Sequence, residues 1–542
     1  MKAKKFVAIL LAAVMTLALC STAFAADPTY SVSIPNEVEG YTYAAYQIFT
    51  GRLEDGTLSD IVWGANISAA GKTALGDAAA YAKSIEGATK AEAEEIADTL
   101  AGYLTGDPAT TATAPNTDKD YVLSGLAAGY YIIKNTAVPT DGAYTDYMLQ
   151  VVEDVEVEPK ASVPTVVKEI VEGTDTVKAN EASIGDDVEY KITGTLPSTI
   201  DTYKTYSYKF TDTLSEGLTY NDDVTVTVND VDATEEFTIA DSTDTDTGIT
   251  TITISIADLL ALDETTYGTI TAKTTVVVEY TATLNENAVI GAANENKVKL
   301  TYSNDPNFTT GTEPTGTTPE SAVETYTTEI TILKTDEELK ALSGAAFKLT
   351  GDSVNIVITT GNYFVENASA TTPYYPLTDG SYTATAPTTE TADSYVGGTG
   401  AKTYELKTEV ILGNVDSTPV AVEAFVGDDG YLTFTGLGAG KYTLEETVTP
   451  KGYNELPKDF EFEITFDAEK KEFSATSNAD TKDTDAISIS GNKLSTTIIN
   501  QSGSVLPETG GIGTTIFYIV GGILVAGAAV LLITKKRMKV NG

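Results

Sequence analysis

The sequence predicts an all-β protein built from three tandem immunoglobulin-like β-sandwich domains. Threonine, valine and tyrosine recur in short runs of alternating polar and apolar side chains, such as TYSVSI (29–34), and Asp, Asn, Gly and Thr separate these runs. This pattern is typical of strands that bury one face in a sandwich. A chain of 542 residues has room for about three domains. The exception is a helical spacing of apolar residues from Ala69 to Leu104, which predicts a helical insertion in the first domain.

The composition argues against most enzyme classes. The chain has no histidine and a single cysteine, so general acid/base chemistry by imidazole, thiol nucleophiles and disulfides are disfavoured. The formal net charge of −44 makes nucleic acid an implausible partner. The acidic run at 241–248 lacks the spacing of an EF-hand loop. We therefore predict a protein that is not an enzyme and that has no cofactor and no metal site.

The N-terminus has the pattern of a cleaved secretory signal. Lysines at positions 2, 4 and 5 precede an apolar stretch from Phe6 to Leu19, and Ala-Phe-Ala at 23–25 forms a small-residue cleavage site. This predicts a signal peptide over 1–25. Its removal also removes Cys20, so a secreted chain without disulfides must be stabilised in another way.

The C-terminal segment 503–542 combines three features in a fixed order. An LPETG motif is followed by an uncharged apolar run over 512–533 and by a short basic tail. As a helix, the apolar run is about 33 Å long, which predicts a membrane span. The order of motif, span and basic tail resembles the cell-wall sorting signal of Gram-positive surface proteins, the substrate of sortase transpeptidases. The motif residues are Leu506, Pro507, Glu508, Thr509 and Gly510.

This resemblance implies how the chain is processed. The sortase cysteine is expected to cleave between Thr509 and Gly510 and to transfer the Thr509 carbonyl to an amine. The implied partners are sortase and peptidoglycan. The implied location is the Gram-positive cell wall, outside the membrane.

Composition shifts along the chain predict the domain boundaries. The first domain is expected over 26–160 and the second over 161–307. A segment rich in Thr, Gly and Pro, 308–322, reads as an extended linker. A third domain is expected over 323–502.

The sequence VEVEPK (155–160), at the end of the first domain, suggests an acceptor for the Thr509 carbonyl. Its V-x-V-x-P-Lys pattern resembles the pilin motif of Gram-positive shaft pilins, and YSNDP (302–306) also resembles sequence of that family. The resemblance implies that Lys160 receives Thr509 of the next subunit. Identical pilin subunits are then the main partners, with accessory pilins and host or cell-surface receptors as further ones.

The second domain has polar residues in its apolar rows. Lys168 alternates with valine and isoleucine on the opening strand, and Asn304 follows Val298, Leu300 and Tyr302 on one face of the closing strand. Asp212 lies among apolar neighbours. In shaft pilins and related adhesins such a trio forms an intramolecular isopeptide bond, which implies a Lys168 to Asn304 bond promoted by Asp212. Asn296 is the alternative acceptor and Glu279 the alternative acid.

The third domain repeats the arrangement. YTLEETVTPKGY (442–453) resembles the E-box of the B-type domain of collagen adhesins, whose glutamate promotes the bond. The resemblance implies a bond from Lys334 to Asn500, promoted by Glu446. The first domain has no lysine on its opening strand, so no internal bond is predicted there.

The leading functional hypothesis is therefore a shaft subunit of a sortase-assembled pilus. A monomeric wall-anchored adhesin and a tip or base pilin are the alternatives. Lys160 distinguishes a shaft subunit from a monomeric adhesin, because a monomeric adhesin needs the sorting signal but no acceptor lysine.

Overall fold

The computed structural model describes residues 29–55, 57–151, 154–351, 356–378, 382–413, 424–427, 429–480, 482–504 and 512–538. The predicted signal peptide (1–25) and the LPETG motif (506–510) lie outside these residues. Strands dominate the described chain and form several tandem β-sandwich domains, which confirms the predicted fold class.

The first domain packs a three-stranded sheet (order β5-β1-β8) against a sheet of order β3-β2-β6-β7, in which β4 also pairs with β2. Its core lies between the sheets, and a second apolar cluster lies under the helices. The strands are β1 (Tyr30–Pro35), β2 (Thr42–Glu54), β3 (Thr57–Trp63), β4 (Thr110–Ala112), β5 (Asp120–Leu126), β6 (Gly129–Ala137), β7 (Met148–Val151) and β8 (Val155–Glu156).

The predicted helical insertion is present as three short helices, α1 (Ala69–Leu75), α2 (Ala78–Ser84) and α3 (Lys90–Ala101). Each helix begins at a side-chain cap that accepts from an otherwise unpaired backbone N–H. At α3, Thr89 and Glu92 form a reciprocal capping box. These local signals fix where the helices begin.

The second domain is a sandwich of two seven-stranded sheets, with tyrosines among its largest buried side chains. One sheet has the order β10-β9-β12-β19-β15-β16 with β14 beside β19, and the other has the order β11-β22-β20-β13-β18-β17 with β21 beside β20. A one-turn helix, α4 (Glu264–Tyr267), precedes β19. The strands are β9 (Val166–Glu172), β10 (Asp175–Val177), β11 (Ala179–Glu181), β12 (Asp187–Thr195), β13 (Tyr208–Leu214), β14 (Leu218–Tyr220), β15 (Thr225–Val228), β16 (Val231–Asp232), β17 (Thr238–Thr243), β18 (Thr250–Ile256), β19 (Thr275–Leu284), β20 (Asn294–Ser303), β21 (Thr315–Thr317) and β22 (Ser321–Tyr326).

The segment predicted as a linker, 308–322, differs from that expectation. It contains β21 and the start of β22, and both strands pair with β20, so the second domain continues to Tyr326. The run is poor in large apolar residues, but its threonines favour extended structure, and Val323, the next residue on β22, is buried. The chain therefore passes directly from β22 into the third domain.

The third domain also consists of two sheets, of order β28-β25-β30-β23-β35-β34 and β29-β24-β31-β32-β33, with a small β26-β27 hairpin outside them. Its first strand pairs in parallel with its last strand, Lys334 opposite Ile498. The strands are β23 (Thr328–Asp336), β24 (Ala346–Gly351), β25 (Ile356–Glu366), β26 (Tyr375–Pro376), β27 (Tyr382–Thr383), β28 (Tyr404–Gly413), β29 (Ala424–Phe425), β30 (Tyr431–Leu437), β31 (Gly440–Val448), β32 (Phe460–Asp467), β33 (Glu472–Ser477), β34 (Ser488–Ser490) and β35 (Lys493–Asn500).

A last helix, α5 (Ile512–Met538), lies near the C-terminus. A search of the described residues finds no helix long and apolar enough to cross a membrane. The span predicted over 512–533 is therefore not supported there.

The second and third domains meet around a half-buried carboxylate, that of Glu181 on β11. Glu181 Oε2 accepts a hydrogen bond of 2.6 Å from the Ala439 backbone N–H of the third domain. Nearby, the Ile184 N–H donates to the Gly436 carbonyl over 2.9 Å. Burial raises the pKa of Glu181 to about 7, although the Ala439 N–H opposes this shift.

We expect this junction to be more stable at pH 5 than at pH 8. Because the folded-state pKa of Glu181 is raised, its contribution is fully present below the ordinary glutamate pKa and is lost as pH rises through about 7. Thermal unfolding of the mature chain between pH 5 and 8 measures the effect, and Glu181→Gln should flatten the dependence. An unchanged slope in that variant would show that other groups cause it.

Candidate functional sites

The core of the second domain contains a buried lysine and aspartate in direct contact. Lys168 comes from β9 in one sheet and Asp212 from β13 in the facing sheet, and neither side chain is exposed. The distance from Lys168 Nζ to Asp212 Oδ2 is 2.5 Å. Both residues interrupt rows of apolar side chains, so strand alternation turns them toward the core. The structure thus brings together these two residues predicted from sequence.

Tyr280 connects this pair to an asparagine. Its hydroxyl donates to Asp212 Oδ2 over 2.6 Å and accepts from Lys168 Nζ over 2.9 Å. It also accepts from Asn296 Nδ2 over 2.7 Å, while Asn296 Oδ1 has no hydrogen-bond partner within the described structure. Sequence reasoning missed Tyr280; its one signal is that a tyrosine continues the buried row Val276, Val278 on β19.

The acceptor assignment must be corrected from Asn304 to the alternative, Asn296. Asn304 lies past the end of β20, six residues beyond Val298, which pairs with Asp212; at 3.3 Å per residue this is about 20 Å along the strand. Its side chain donates instead to the Gly142 carbonyl of the first domain over 3.1 Å. The alternative acid, Glu279, lies at the surface in an ion pair with Lys191.

Burial prepares the Lys168 amine for attack. Loss of hydration lowers its pKa to about 8, although the charge and hydrogen bond of Asp212 oppose that shift. A neutral amine is a nucleophile that can attack a carboxamide carbon, and the carboxyl group of Asp212 beside it can exchange protons with the reacting groups.

The third domain has a comparable cluster around Glu446 of β31. Glu446 Oε2 accepts a hydrogen bond of 3.1 Å from Asn500 Nδ2. The other side-chain oxygens, Glu446 Oε1 and Asn500 Oδ1, have no hydrogen-bond partner within the described residues. Lys334 is fully buried, and its Nζ donates to the Ile498 carbonyl over 3.1 Å. Since Asn500 is two residues beyond Ile498 on the same face of β35, the three predicted residues lie in one core region.

The Lys334 amine is also shifted toward its neutral form. Burial lowers the pKa of Lys334 to about 8, and the negative charges of Glu446, Asp336 and Asp483 oppose this. An amine with this pKa has an appreciable neutral fraction at physiological pH. The cluster therefore contains an amine, an amide and a buried acid.

Lys160 has a different environment from the two buried lysines. Its side chain is 39% exposed and its Nζ lies 3.5 Å from Asp146 Oδ2. The residue lies in the connection between the first two domains, where the loop between β6 and β7 (138–147) meets the second domain. That loop is held by hydrogen bonds from the Tyr144 N–H to the Asn304 carbonyl and from the Tyr302 hydroxyl to the Asp141 carbonyl. The structure describes no buried lysine in the first domain.

Sequence models of three protein families match this chain. The family described as Gram-positive pilin backbone subunit 2, Cna-B-like domain, matches residues 184–306. A prealbumin-like fold domain matches 328–479, and the LPXTG cell wall anchor motif matches 498–540. No curated protein matches by sequence.

Similar solved structures include three pilins. The T6 backbone pilin of Streptococcus pyogenes serotype M6 is 16% identical, with a TM-score of 0.51, over 89% of this chain and 100% of that one. The match to the major pilin SpaD of Corynebacterium diphtheriae covers 89% of this chain and 99% of SpaD, with 16% identity and a TM-score of 0.45. The match to the major pilin SpaA of the same species covers 88% of this chain and 100% of SpaA, with 14% identity and a TM-score of 0.44. The likeness to the T6 pilin shows a shared fold.

Two of the matched families describe β domains, and the third describes the C-terminal anchor. Together they account for the second domain, the third domain and the sorting segment. The chain therefore carries a Gram-positive pilin backbone domain and an LPXTG cell wall anchor, the parts of a pilus subunit that is anchored to the cell wall.

Proposed function

We propose that this chain is the repeating shaft subunit of its pilus, and that sortase joins Thr509 of one subunit to Lys160 of the next. The matches to a pilin backbone domain and to an LPXTG anchor carry this proposal, because one supplies the shaft and the other the acyl donor. Sortase, peptidoglycan and identical subunits are then the partners. Accessory pilins and surface receptors are further partners of such an assembly.

Accessibility supports Lys160 as the acceptor. An intermolecular bond requires an amine that a second protein can reach, and Lys168 and Lys334 are fully enclosed within their domains. Lys160 is partly exposed at the junction of the first and second domains. Among these three lysines it alone is open to solvent.

We further propose that the two buried lysines form bonds within the subunit. In the second domain the Lys168 amine attacks the Asn296 carboxamide with Asp212 as the acid; in the third domain Lys334 attacks Asn500 with Glu446. Each reaction forms one amide bond and releases one ammonia. The proximity of amine, amide and acid in both cores supports this assignment.

Lys160→Ala is expected to abolish the shaft. Wall extracts of cells that make the parent protein should give a ladder of high-mass species on a denaturing gel, because amide bonds between subunits survive boiling detergent. The variant should lose the ladder while its monomer remains.

Lys119→Ala is a matched control, since Lys119 is an exposed lysine of the same domain, paired with Glu37. It should leave the ladder intact. A ladder that persists in Lys160→Ala would assign the acceptor to another lysine. A single band in the parent would instead favour a monomeric adhesin.

A further inference from the structure

The carboxylate of Asp146 lies beside Lys160, and the joining reaction proposed above does not use it. Asp146 lies in the loop between β6 and β7, and only 11% of its side chain is exposed. Its Oδ2 is 3.5 Å from Lys160 Nζ. A carboxylate this close to an attacking amine is within reach of its proton.

Backbone hydrogen bonds hold the two residues together. The Asp146 N–H donates to the Lys160 carbonyl over 3.1 Å, and the Lys160 N–H donates to Thr145 Oγ1 over 2.8 Å. Asn307 of the second domain adds a bond from its side-chain amide to the Thr145 carbonyl over 3.0 Å. The pair therefore does not depend on the chance meeting of two long surface side chains, as most exposed ion pairs do.

The surroundings of Asp146 differ from those of an ordinary surface aspartate. Burial, and to a smaller extent the charge of Glu94 on α3, raise the pKa of its carboxyl group, while Lys160 and the Tyr147 N–H lower it. The titratable groups that face Asp146 are Lys160, Glu94 and Tyr147. A carboxylate with a raised pKa is a better proton acceptor than an ordinary surface aspartate.

We propose that Asp146 is a catalytic residue of subunit joining, which accepts a proton from the Lys160 ammonium group when the acyl donor arrives. The inference rests on the proposed function, since it requires Lys160 to be the acceptor. The need for a base is general: a lysine amine is mostly protonated at neutral pH, and only the neutral form attacks a carbonyl carbon.

The step balances in atoms and charge. The donor is the thioester between the sortase cysteine and the Thr509 carbonyl. Asp146 takes one proton from the ammonium group, the free amine attacks the thioester carbon, the new N–C bond forms and the C–S bond breaks. The departing thiolate takes the second proton from nitrogen. The products are an amide at Lys160, a free cysteine thiol and a protonated Asp146.

The test uses the mature chain, an LPETG-containing peptide as acyl donor and a sortase that accepts this motif. Mass spectrometry follows modification of the Lys160 peptide between pH 6 and 9. Asp146→Asn should slow the reaction at least about tenfold at pH 7. The deficit should shrink as pH rises, because solvent hydroxide then deprotonates the lysine. Asp98→Asn is a matched control, since Asp98 pairs with Lys204 across the same junction at 2.5 Å, and it should react at the parental rate.

Three outcomes are distinguishable. A parental rate for Asp146→Asn at every pH would overturn the proposal. A deficit that is equal at every pH would also overturn it, because it would indicate a structural role in holding the loop. If Lys160→Arg still yields the product on another lysine, the acceptor assignment itself fails, independently of Asp146.

Discussion

Glu446→Ala is expected to leave the third domain without the proposed crosslink between Lys334 and Asn500. The variant removes the acid that contacts Asn500 and leaves the Leu456 N–H without its acceptor. The mature chain should therefore retain one ammonia that the parent loses, which intact mass measures directly. Treated as a crosslink that closes a loop on the order of 100 residues, the missing bond lowers the free energy of unfolding by about 5 kcal/mol, to be measured by calorimetry.

Glu445→Ala is the control for this experiment. Glu445 is the outward-facing neighbour of Glu446 and forms an exposed ion pair with Lys348 at 3.7 Å. Surface pairs of this kind contribute about 0–1 kcal/mol, so both mass and unfolding temperature should match the parent. A Glu446→Ala chain with the parental mass would refute the assigned chemistry.

Lys168→Met is expected to have a still larger effect on the second domain. It removes the attacking amine, so the chain again retains one ammonia, and it removes the side chain that contacts the buried Asp212 carboxyl group. Loss of the crosslink lowers the free energy of unfolding by about 5 kcal/mol, and a buried carboxyl group that has lost its neighbour adds to that cost. Mass and denaturant unfolding of the mature chain report the two effects separately.

A second substitution separates the bond from the buried charge. Lys168→Met combined with Asp212→Asn should recover part of the stability, since no charge remains unpaired, and yet should keep the extra ammonia. Lys191→Met removes a lysine from the exposed pair with Glu279 and should change neither quantity. A Lys168→Met chain that loses as much ammonia as the parent would show that Lys168 forms no bond.

Much of the fold and two of the clusters could be predicted because they depend on local pattern. Alternation placed Lys168 and Lys334 in apolar rows, and a lysine in such a row either faces the core or marks an error in strand assignment. Helical spacing likewise indicated the insertion that became α1, α2 and α3. These signals require no knowledge of which strands are neighbours.

The choice between Asn296 and Asn304 could not be made in the same way. The two are separated by an even number of residues, so alternation puts both on one side of the chain, and only the register of β20 against β13 decides which is near Asp212. Tyr280 was missed for a related reason. A tyrosine in an apolar row is usually a core residue, and its hydroxyl acquires a role only when three other strands bring partners to it.

The parallel pairing of β23 with β35 has a mechanical consequence. Tension that enters the third domain at Thr328 and leaves after Asn500 pulls these neighbouring strands past each other along their length, so their hydrogen bonds are loaded together instead of opening one by one. With Lys334 joined to Asn500, force would travel from Thr328 to Lys334, cross the amide and leave the domain, bypassing most of its fold. The loops and outer strands of that domain could then vary in sequence without weakening the fibre.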